Sequence, residues 1–196
     1  VAKIFQGKRP FCKDDKGCYP ANVAYSEPKV NGAIEGFDRF LQGNFTELNG
    51  QYGSVTRLVK TDNDYLFAIQ EHAIVLLPIG RQQVDLFDNG QLAVGTGDVI
   101  GAVRQYSSTR YGSQHMRTVV NTGNLVYGVD MDKRQVWVLD GSGAVRGVSE
   151  VGMDSFWKRE LAYRRPYHIP EHLFDAWFDF DRMEYWVNLP TFDADN

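Results

Sequence analysis

The string His168-Ile169-Pro170-Glu171-His172 has the spacing H-x-x-E-H, which is the strongest catalytic pattern in this chain. In metalloproteases with this pattern, two imidazoles bind a metal ion and the glutamate acts on a bound water. The chemistry requires a helix, so that both histidines share one face. Pro170 disfavours helical backbone at Ile169, and no helix carrying a third ligand is recognisable. The string therefore predicts a polar loop rather than a metal site.

The glycine-rich stretch Gly95–Gly101, GTGDVIG, resembles a phosphate-binding loop in composition. Its spacing is G-x-G-x-x-x-G, and the carboxylate of Asp98 would repel a phosphate group. A phosphate loop also needs a following helix whose N-terminus points at the anion, and no helical pattern follows here. We expect a loop with flexible backbone.

Two pairs of carboxylates, Asp130 with Asp132 and Asp179 with Asp181, could suggest a calcium loop or paired acid–base catalysis. Calcium requires further oxygen ligands at fixed spacing, and a basic residue directly follows each pair. Carboxylates two residues apart in a tight turn usually accept hydrogen bonds from backbone amides and stay in water. We predict that role for both pairs.

The remaining reactive side chains form no recognisable constellation. His72 and His115 have no nucleophile paired with them in the sequence, so a catalytic triad cannot be argued. Cys12 and Cys18 bracket five residues, which is not a zinc-knuckle spacing, and no second cysteine pair exists. A local disulfide and two free thiols both remain open. The sequence thus predicts no catalytic residue, no cofactor-binding residue and no metal ligand.

The elements that carry these residues are repeated hairpins. Leu125–Leu139 has two apolar arms around a charged reversal, and the pattern returns at Phe174–Leu189. A shift of 49 residues (181 minus 132) aligns the two turns, with one inserted residue at the far end, and a looser copy lies at Tyr65–Leu77. Trp137 and Trp186 occupy matching positions, where we predict repeat core or interface, with a sugar-stacking platform as the alternative.

Further strands complete each repeat unit. The order strand, turn, hairpin occurs at Ser54–Leu77 and again at Arg117–Leu139, and a fourth strand could come from Gln83–Phe87 or Ala144–Val148. Three or four antiparallel strands make up a propeller blade. One helix is predicted from Ser155 to Ala162, with Asp154 as its N-cap and Pro166 beyond its end.

The predicted fold is mainly β: a partial β-propeller-like array of antiparallel blades with one short helix and an irregular N-terminal arm. Prolines and glycines interrupt residues 1–50, which we assign to the arm. Residues 51–190 hold the repeats, and residues 191–196 form a tail. The chain begins with Val rather than Met, so we expect a processed product or a fragment of a longer polypeptide.

The amino-acid composition argues against several classes of protein. The chain has 196 residues, of which 43% are hydrophobic and 13% aromatic, so it can form a sizeable core. Its formal net charge is −4 with both signs scattered, which lacks the basic footprint of a nucleic-acid-binding protein. No apolar run approaches the length of a membrane-spanning segment.

Several short strings together resemble a known family. In chain order they are Tyr25-Ser26-Glu27-Pro28, Gly53–Val59, Ile69-Gln70-Glu71-His72, Pro78-Ile79-Gly80, the Gly97–Gly101 loop, Tyr111-Gly112-Ser113-Gln114-His115 and Val120-Asn121-Thr122-Gly123. Over residues 22–161 the chain resembles the tail stabilisation proteins, also called muzzle or nozzle proteins, of crAss-like and related short-tailed bacteriophages.

This resemblance implies a structural, non-enzymatic role in the virion tail, with propeller-like modules in a ring around the DNA exit channel. The implied partners are other copies of the chain, other phage tail proteins and, transiently, the exiting DNA. Three repeats are too few to close a propeller, so we expect the open sheets to pair with neighbouring copies or with another fragment of the same precursor. The alternative is a glycan-binding or glycoside-processing β-propeller domain, for which two carboxylates would have to flank a sugar.

Overall fold

The computed structural model describes residues 19–27, 39–79, 82–86, 90–94, 100–101, 103, 106–164 and 173–191. Its elements in chain order are β1 (Asn22–Ala24), β2 (Phe45–Glu47), β3 (Val55–Lys60), β4 (Leu66–Gln70), β5 (Ile74–Leu77), β6 (Gln82–Leu86), β7 (Gly90–Val94), β8 (Tyr106–Ser108), β9 (Val120–Asn121), β10 (Leu125–Asp130), β11 (Gln135–Asp140), β12 (Val145–Gly147), α1 (Asp154–Arg164), β13 (Ala176–Asp179) and β14 (Glu184–Val187).

The prediction of a mainly β protein with one short helix is confirmed over these residues. The strands pair into two four-stranded and three two-stranded sheets, all antiparallel. Helix α1 begins at the predicted cap, Asp154, and continues two residues past the predicted end. The chain divides into two compact units, Val1–Gly50 with Pro78–Val103 and Gln51–Leu77 with Arg104–Asn196.

The first unit contains two short ribbons. Strands β1 and β2 pair with Val23 opposite Thr46, so the region assigned to an irregular arm contains a two-stranded ribbon. Strands β6 and β7 form a separate hairpin. The prediction that Gln83–Phe87 supplies the fourth strand of the first repeat is therefore wrong, because β6 pairs with the strand that follows it in sequence.

The first four-stranded sheet, in the order β3-β4-β5-β8, lies in the second unit. Phe67, Ala68 and Ile69 of β4, and Ile74 and Val75 of β5, are all fully buried. The apolar run Ala73–Leu77 does not alternate with polar residues, as expected for a strand that is covered on both faces. Its fourth strand is β8, which pairs with β5 after a long connection. Sequence pattern missed β8 because three residues give too little periodicity.

The second four-stranded sheet has the order β12-β11-β10-β9 and confirms the predicted hairpin at Leu125–Leu139 and the predicted strand at Ala144–Val148. The prediction of a strand over Arg117–Val120 is wrong in its first half, where Met116–Thr118 form a 3-10 turn. The Thr118 hydroxyl donates to the His115 carbonyl oxygen at 2.8 Å. Such local side-chain bonds compete with strand pairing.

The predicted repeat of the hairpin turn is confirmed in atomic detail. In β10–β11 the carboxylate of Asp130 accepts the Lys133 amide at 3.0 Å, and in β13–β14 that of Asp179 accepts the Arg182 amide at 3.2 Å. The residues 49 positions apart that close these turns, Arg134 and Met183, have left-handed φ values of 58° and 56°. Both turns thus have one geometry, set by the capping aspartate.

Two hydrophobic clusters hold the second unit together. One joins the two four-stranded sheets, and its buried members are Val59, Phe67, Ile69, Ile74, Tyr111, Val119, Val126, Trp137 and Leu139. The other packs the turn end of β10–β11 against α1 and the last hairpin, through Val129, Met131, Val136, Leu161 and Phe174. The β13–β14 hairpin is therefore attached to the body of its unit by an apolar contact.

Candidate functional site

Part of the predicted chemistry cannot be located. The string His168–His172, Cys12, Cys18 and the first five residues of Gly95–Gly101 lie outside the described residues. Within the described part of the chain, no group of three or more His, Cys, Asp or Glu residues is arranged to hold a metal ion. Nor does that part contain a helix long and apolar enough to cross a membrane.

The two aspartate turns share a geometry but differ in burial, since the Asp179 side chain is 33% exposed. Asp130 is fully buried, and besides Lys133 its carboxylate accepts hydrogen bonds from the Gly112 amide at 3.2 Å and the Gln114 side chain at 3.3 Å. Burial raises the pKa of Asp130, because desolvation outweighs these bonds. The prediction that both pairs stay in water is therefore wrong for Asp130, although its capping role is confirmed.

Gln114 is the centre of a polar junction, formed by Gln70, Glu71, Gly112, Ser113, Gln114, Asp130 and Met131. The Gln114 side-chain nitrogen donates to the Glu71 carbonyl oxygen at 2.6 Å, and the Gln114 side-chain oxygen accepts the Met131 backbone N–H at 2.8 Å. The Ser113 amide donates to the Gln70 carbonyl oxygen at 3.0 Å. The polar junction thus ties the β4–β5 turn to the β10–β11 turn through these hydrogen bonds.

Gly112 shows how closely the polar junction is packed. A Cβ added there would lie 2.3 Å from the Glu71 carbonyl oxygen, so no larger residue fits. The Gly112 carbonyl oxygen in turn accepts the indole Nε1–H of Trp137 at 2.7 Å. Trp137 is fully buried and its ring covers Gly128, where a Cβ would approach within 2.2 Å of the ring. The prediction that Trp137 is a core residue is confirmed.

The two histidines serve separate contacts. His72 Nδ1 lies 3.7 Å from the Asp132 carboxylate, and both side chains are partly exposed. His115 packs edge-on against Phe174, with ring centroids 5.0 Å apart and planes at 89°. The two imidazoles therefore contribute to packing and to the surface of the second unit rather than to one shared site.

The last hairpin exposes an apolar group that we call the aromatic hairpin surface: Trp177 and Trp186 on one strand face, with Phe180 and Met183 at the turn. Their exposed fractions are 51%, 43%, 64% and 72% in that order. Trp177 and Trp186 are opposite one another in the β13–β14 register, and their rings are parallel within 4° at a centroid distance of 6.2 Å. At ~225 Å² per full ring, the tryptophan pair leaves roughly 210 Å² exposed, and Phe180, whose ring packs on Phe178, adds roughly 140 Å² at the turn.

The opposite face of this hairpin anchors it. Phe178 and Tyr185 stack on the ring of Tyr127 at 5.5 and 5.1 Å. The Tyr185 hydroxyl donates to the Thr118 carbonyl oxygen at 2.6 Å, and burial raises the pKa of Tyr185. The hairpin is thus held on one side while its tryptophan pair faces solvent. Sequence reasoning singled out Trp186 but missed Trp177.

One comparison with known proteins identifies the chain. The family model described as Crassvirus muzzle protein matches residues 11–158, which is 148 of 196 residues. That range includes every string that carried the resemblance, and it includes the whole polar junction. A search of curated proteins finds no match. The chain therefore belongs to the Crassvirus muzzle protein family, a family of phage structural proteins, and is a component of the virion tail.

Proposed function

We propose that this protein is a building block of the muzzle, or nozzle, that surrounds the DNA exit channel of the tail, and that it acts by assembly rather than by catalysis. The observation that carries the proposal is the family match over three quarters of the chain. The role of the matched residues also supports the proposal. The strings around Gln70, Gly112 and Gln114 hold two sheets together in the polar junction, which is a structural role.

The two four-stranded antiparallel sheets support a propeller-like arrangement. Each has the strand content of one blade, and a closed propeller uses about four to eight blades. We propose that neighbouring copies, or another segment of the same precursor, complete the array by covering the outer strands. The proposed division keeps residues 1–50 as an arm, 51–190 as the repeats and 191–196 as a tail.

The charge of the chain fits a channel wall. Its net charge of −4 gives no electrostatic footprint for tight DNA binding, so the exiting DNA would slide past with only transient contacts.

The test is to locate the chain in the particle. Mass spectrometry of purified virions should detect this protein, and images of the tail should place it in a ring at the distal end. Its absence from virions would refute the structural role. A monomer with all sheet edges covered, found by light scattering and hydrogen exchange, would refute assembly through open edges.

A glycan-binding role is the second candidate, because Trp177 and Trp186 form an exposed aromatic pair on a strand face that also carries Asp179 and Glu184. Sugar rings stack on tryptophan faces, and sugar hydroxyls donate hydrogen bonds to carboxylates. A glycan array would show saturable binding that Trp177→Ala abolishes and that Tyr65→Ala, at an exposed aromatic residue elsewhere, leaves intact. Uniformly negative arrays would remove this candidate.

A further inference from the structure

We infer that the aromatic hairpin surface of one copy docks on helix α1 of a second copy. This inference deepens the proposed assembly role and rests on it, because it names the two surfaces through which copies of the chain associate. The argument uses the chemistry of each surface separately, and then their complementarity.

The hairpin surface combines apolar rings with negative charge. Around Trp177 and Trp186, residues 173–191 contain four carboxylates and one arginine, a net charge of −3 (one minus four). Of the carboxylates, Asp181 and Glu184 are exposed near the turn. An exposed tryptophan pair with carboxylates beside it favours a partner that is apolar and cationic, since tryptophan faces attract guanidinium groups and carboxylates pair with them.

Helix α1 offers those groups. Phe156, Arg159 and Tyr163 are spaced i, i+3, i+7, so they form a stripe on one face, which we call the helix stripe. Phe156 and Tyr163 are 36% and 49% exposed, and the Arg159 guanidinium lies 5.9 Å from the Phe156 ring centre. Val151 and Met153, just before the helix, add further exposed apolar area at 83% and 49%.

Two cations of α1, Lys158 and Arg159, are more exposed than the carboxylates that they contact, whereas Arg164 is buried against Glu160. The Lys158 side chain is 53% exposed against 36% for Asp154, and that of Arg159 is 73% exposed against 24% for Glu160. The Arg159 guanidinium therefore lies outward beside the exposed Phe156 ring. Such surface ion pairs are weak, so they can exchange for carboxylates of a partner at little loss.

Both halves of this complementary pair lie on the same chain, which is why a second copy is the occupant we assign. The contact joins two different surfaces, so it is heterologous, and a heterologous contact repeats around a ring when its rotation closes. The exposed rings supply roughly 350 Å² against the ~800 Å² that each partner buries in a standard interface. They would form its apolar centre, with the charged residues as its rim.

The first experiment measures self-association of the full chain by sedimentation velocity and light scattering over micromolar to millimolar concentrations. The wild-type protein should associate. Trp177→Ala should raise the midpoint concentration at least about tenfold, as expected for a central aromatic residue, while Tyr65→Ala should leave it unchanged. Association that Trp177→Ala does not weaken would assign another surface and overturn the inference.

A charge exchange tests the partner surfaces without relying on the tryptophan. Asp181→Lys with Glu184→Lys reverses the charge of the hairpin, and Arg159→Glu reverses the charge of the helix stripe. Asp179 is kept because its carboxylate accepts turn amides. Each reversed protein alone should be monomeric where wild type associates, and mixing the two should restore association, because opposite charges then meet at every contact. A folded mixture that stays monomeric would overturn the inference.

The outcomes separate this inference from the proposed function. A wild-type chain that remains monomeric at millimolar concentration refutes docking between copies, while its detection in virions would still support the structural role. Glycan binding that Trp177→Ala abolishes, with no self-association, would assign the hairpin to sugar and likewise refute docking. Absence from virions would refute the proposed function whatever the result in solution.

Discussion

Two tryptophans at the same position of a repeated hairpin provide a matched test of burial. Trp137 and Trp186 lie at equivalent places in β11 and β14, after turns of the same geometry. Trp137 is fully buried and its indole N–H donates to the Gly112 carbonyl oxygen at 2.7 Å, whereas Trp186 is 43% exposed. Replacing each with phenylalanine applies one chemical change to two environments.

The expected magnitudes differ several-fold. At Trp137 the change leaves a buried carbonyl without its donor, at about 1–3 kcal/mol. The smaller ring also leaves a void, adding about 1 kcal/mol, so the total loss in unfolding free energy is about 2–4 kcal/mol. At Trp186 the remaining ring still packs on Trp177 and solvent fills the rest. We expect less than about 1 kcal/mol there.

The assay is urea unfolding followed by far-UV circular dichroism, because tryptophan fluorescence would change with the substitution itself. Calorimetry should place Trp137→Phe about 5–15 °C below wild type, at about 2–4 °C per kcal/mol for a chain of this size. Trp186→Phe should melt within about 3 °C of wild type. Equal losses in the two variants, or a loss below about 0.5 kcal/mol at Trp137, would refute the assignment of Trp137 as a buried core residue whose indole donates to Gly112.

Three further perturbations follow from the same contacts. Gly112→Ala should lower the free energy of unfolding by at least about 2 kcal/mol in denaturant titration, since its Cβ would overlap a backbone carbonyl, while Gly43→Ala, with open space around it, should change little. Because burial raises the pKa of Asp130, this group's contribution to stability falls as pH rises from just above 3.8 through the raised pKa. Asp130→Asn should remove that part of the slope of unfolding free energy against pH. The measurement is the difference in unfolding free energy between wild type and variant across the acidic range, and an unchanged slope would contradict the prediction. Tyr185→Phe should destabilise by about 1 kcal/mol through loss of the hydrogen bond to Thr118, and hydrogen exchange should show faster opening of the β13–β14 hairpin than in wild type; unchanged exchange would argue against this anchor.

Local sequence patterns were sufficient to predict those elements whose turn or capping residues lie within the element itself. The hairpin at Leu125–Leu139 has β-branched arms around a turn whose aspartate caps an amide three residues on, and α1 begins at its capping Asp154. Both depend on neighbours in sequence. The short strand β8 depends on a partner far away in the chain, and so no local pattern revealed it.

The two equivalent tryptophans show in the same way that burial depends on residues that are distant in sequence. The repeat suggested that Trp137 and Trp186 share a role, and the structure assigns them different ones. In β10 the residue opposite Trp137 is Gly128, which lets the indole lie flat over the backbone and reach Gly112. In β13 the opposite residue is Trp177, so the two rings stack and face solvent.

By itself, the sequence determined that the chain is mainly β and that its hairpin turns repeat, because turn chemistry and strand patterning act between near neighbours. Its short strings also carried the resemblance to a tail-protein family. Only the tertiary structure decided which aspartate is buried, since Asp130 receives its partners from Gly112 and Gln114, distant in sequence. It also decided that one tryptophan closes the core while the other faces outward. Burial is a property of what packs from elsewhere in the chain, and a repeated motif does not carry that information within itself.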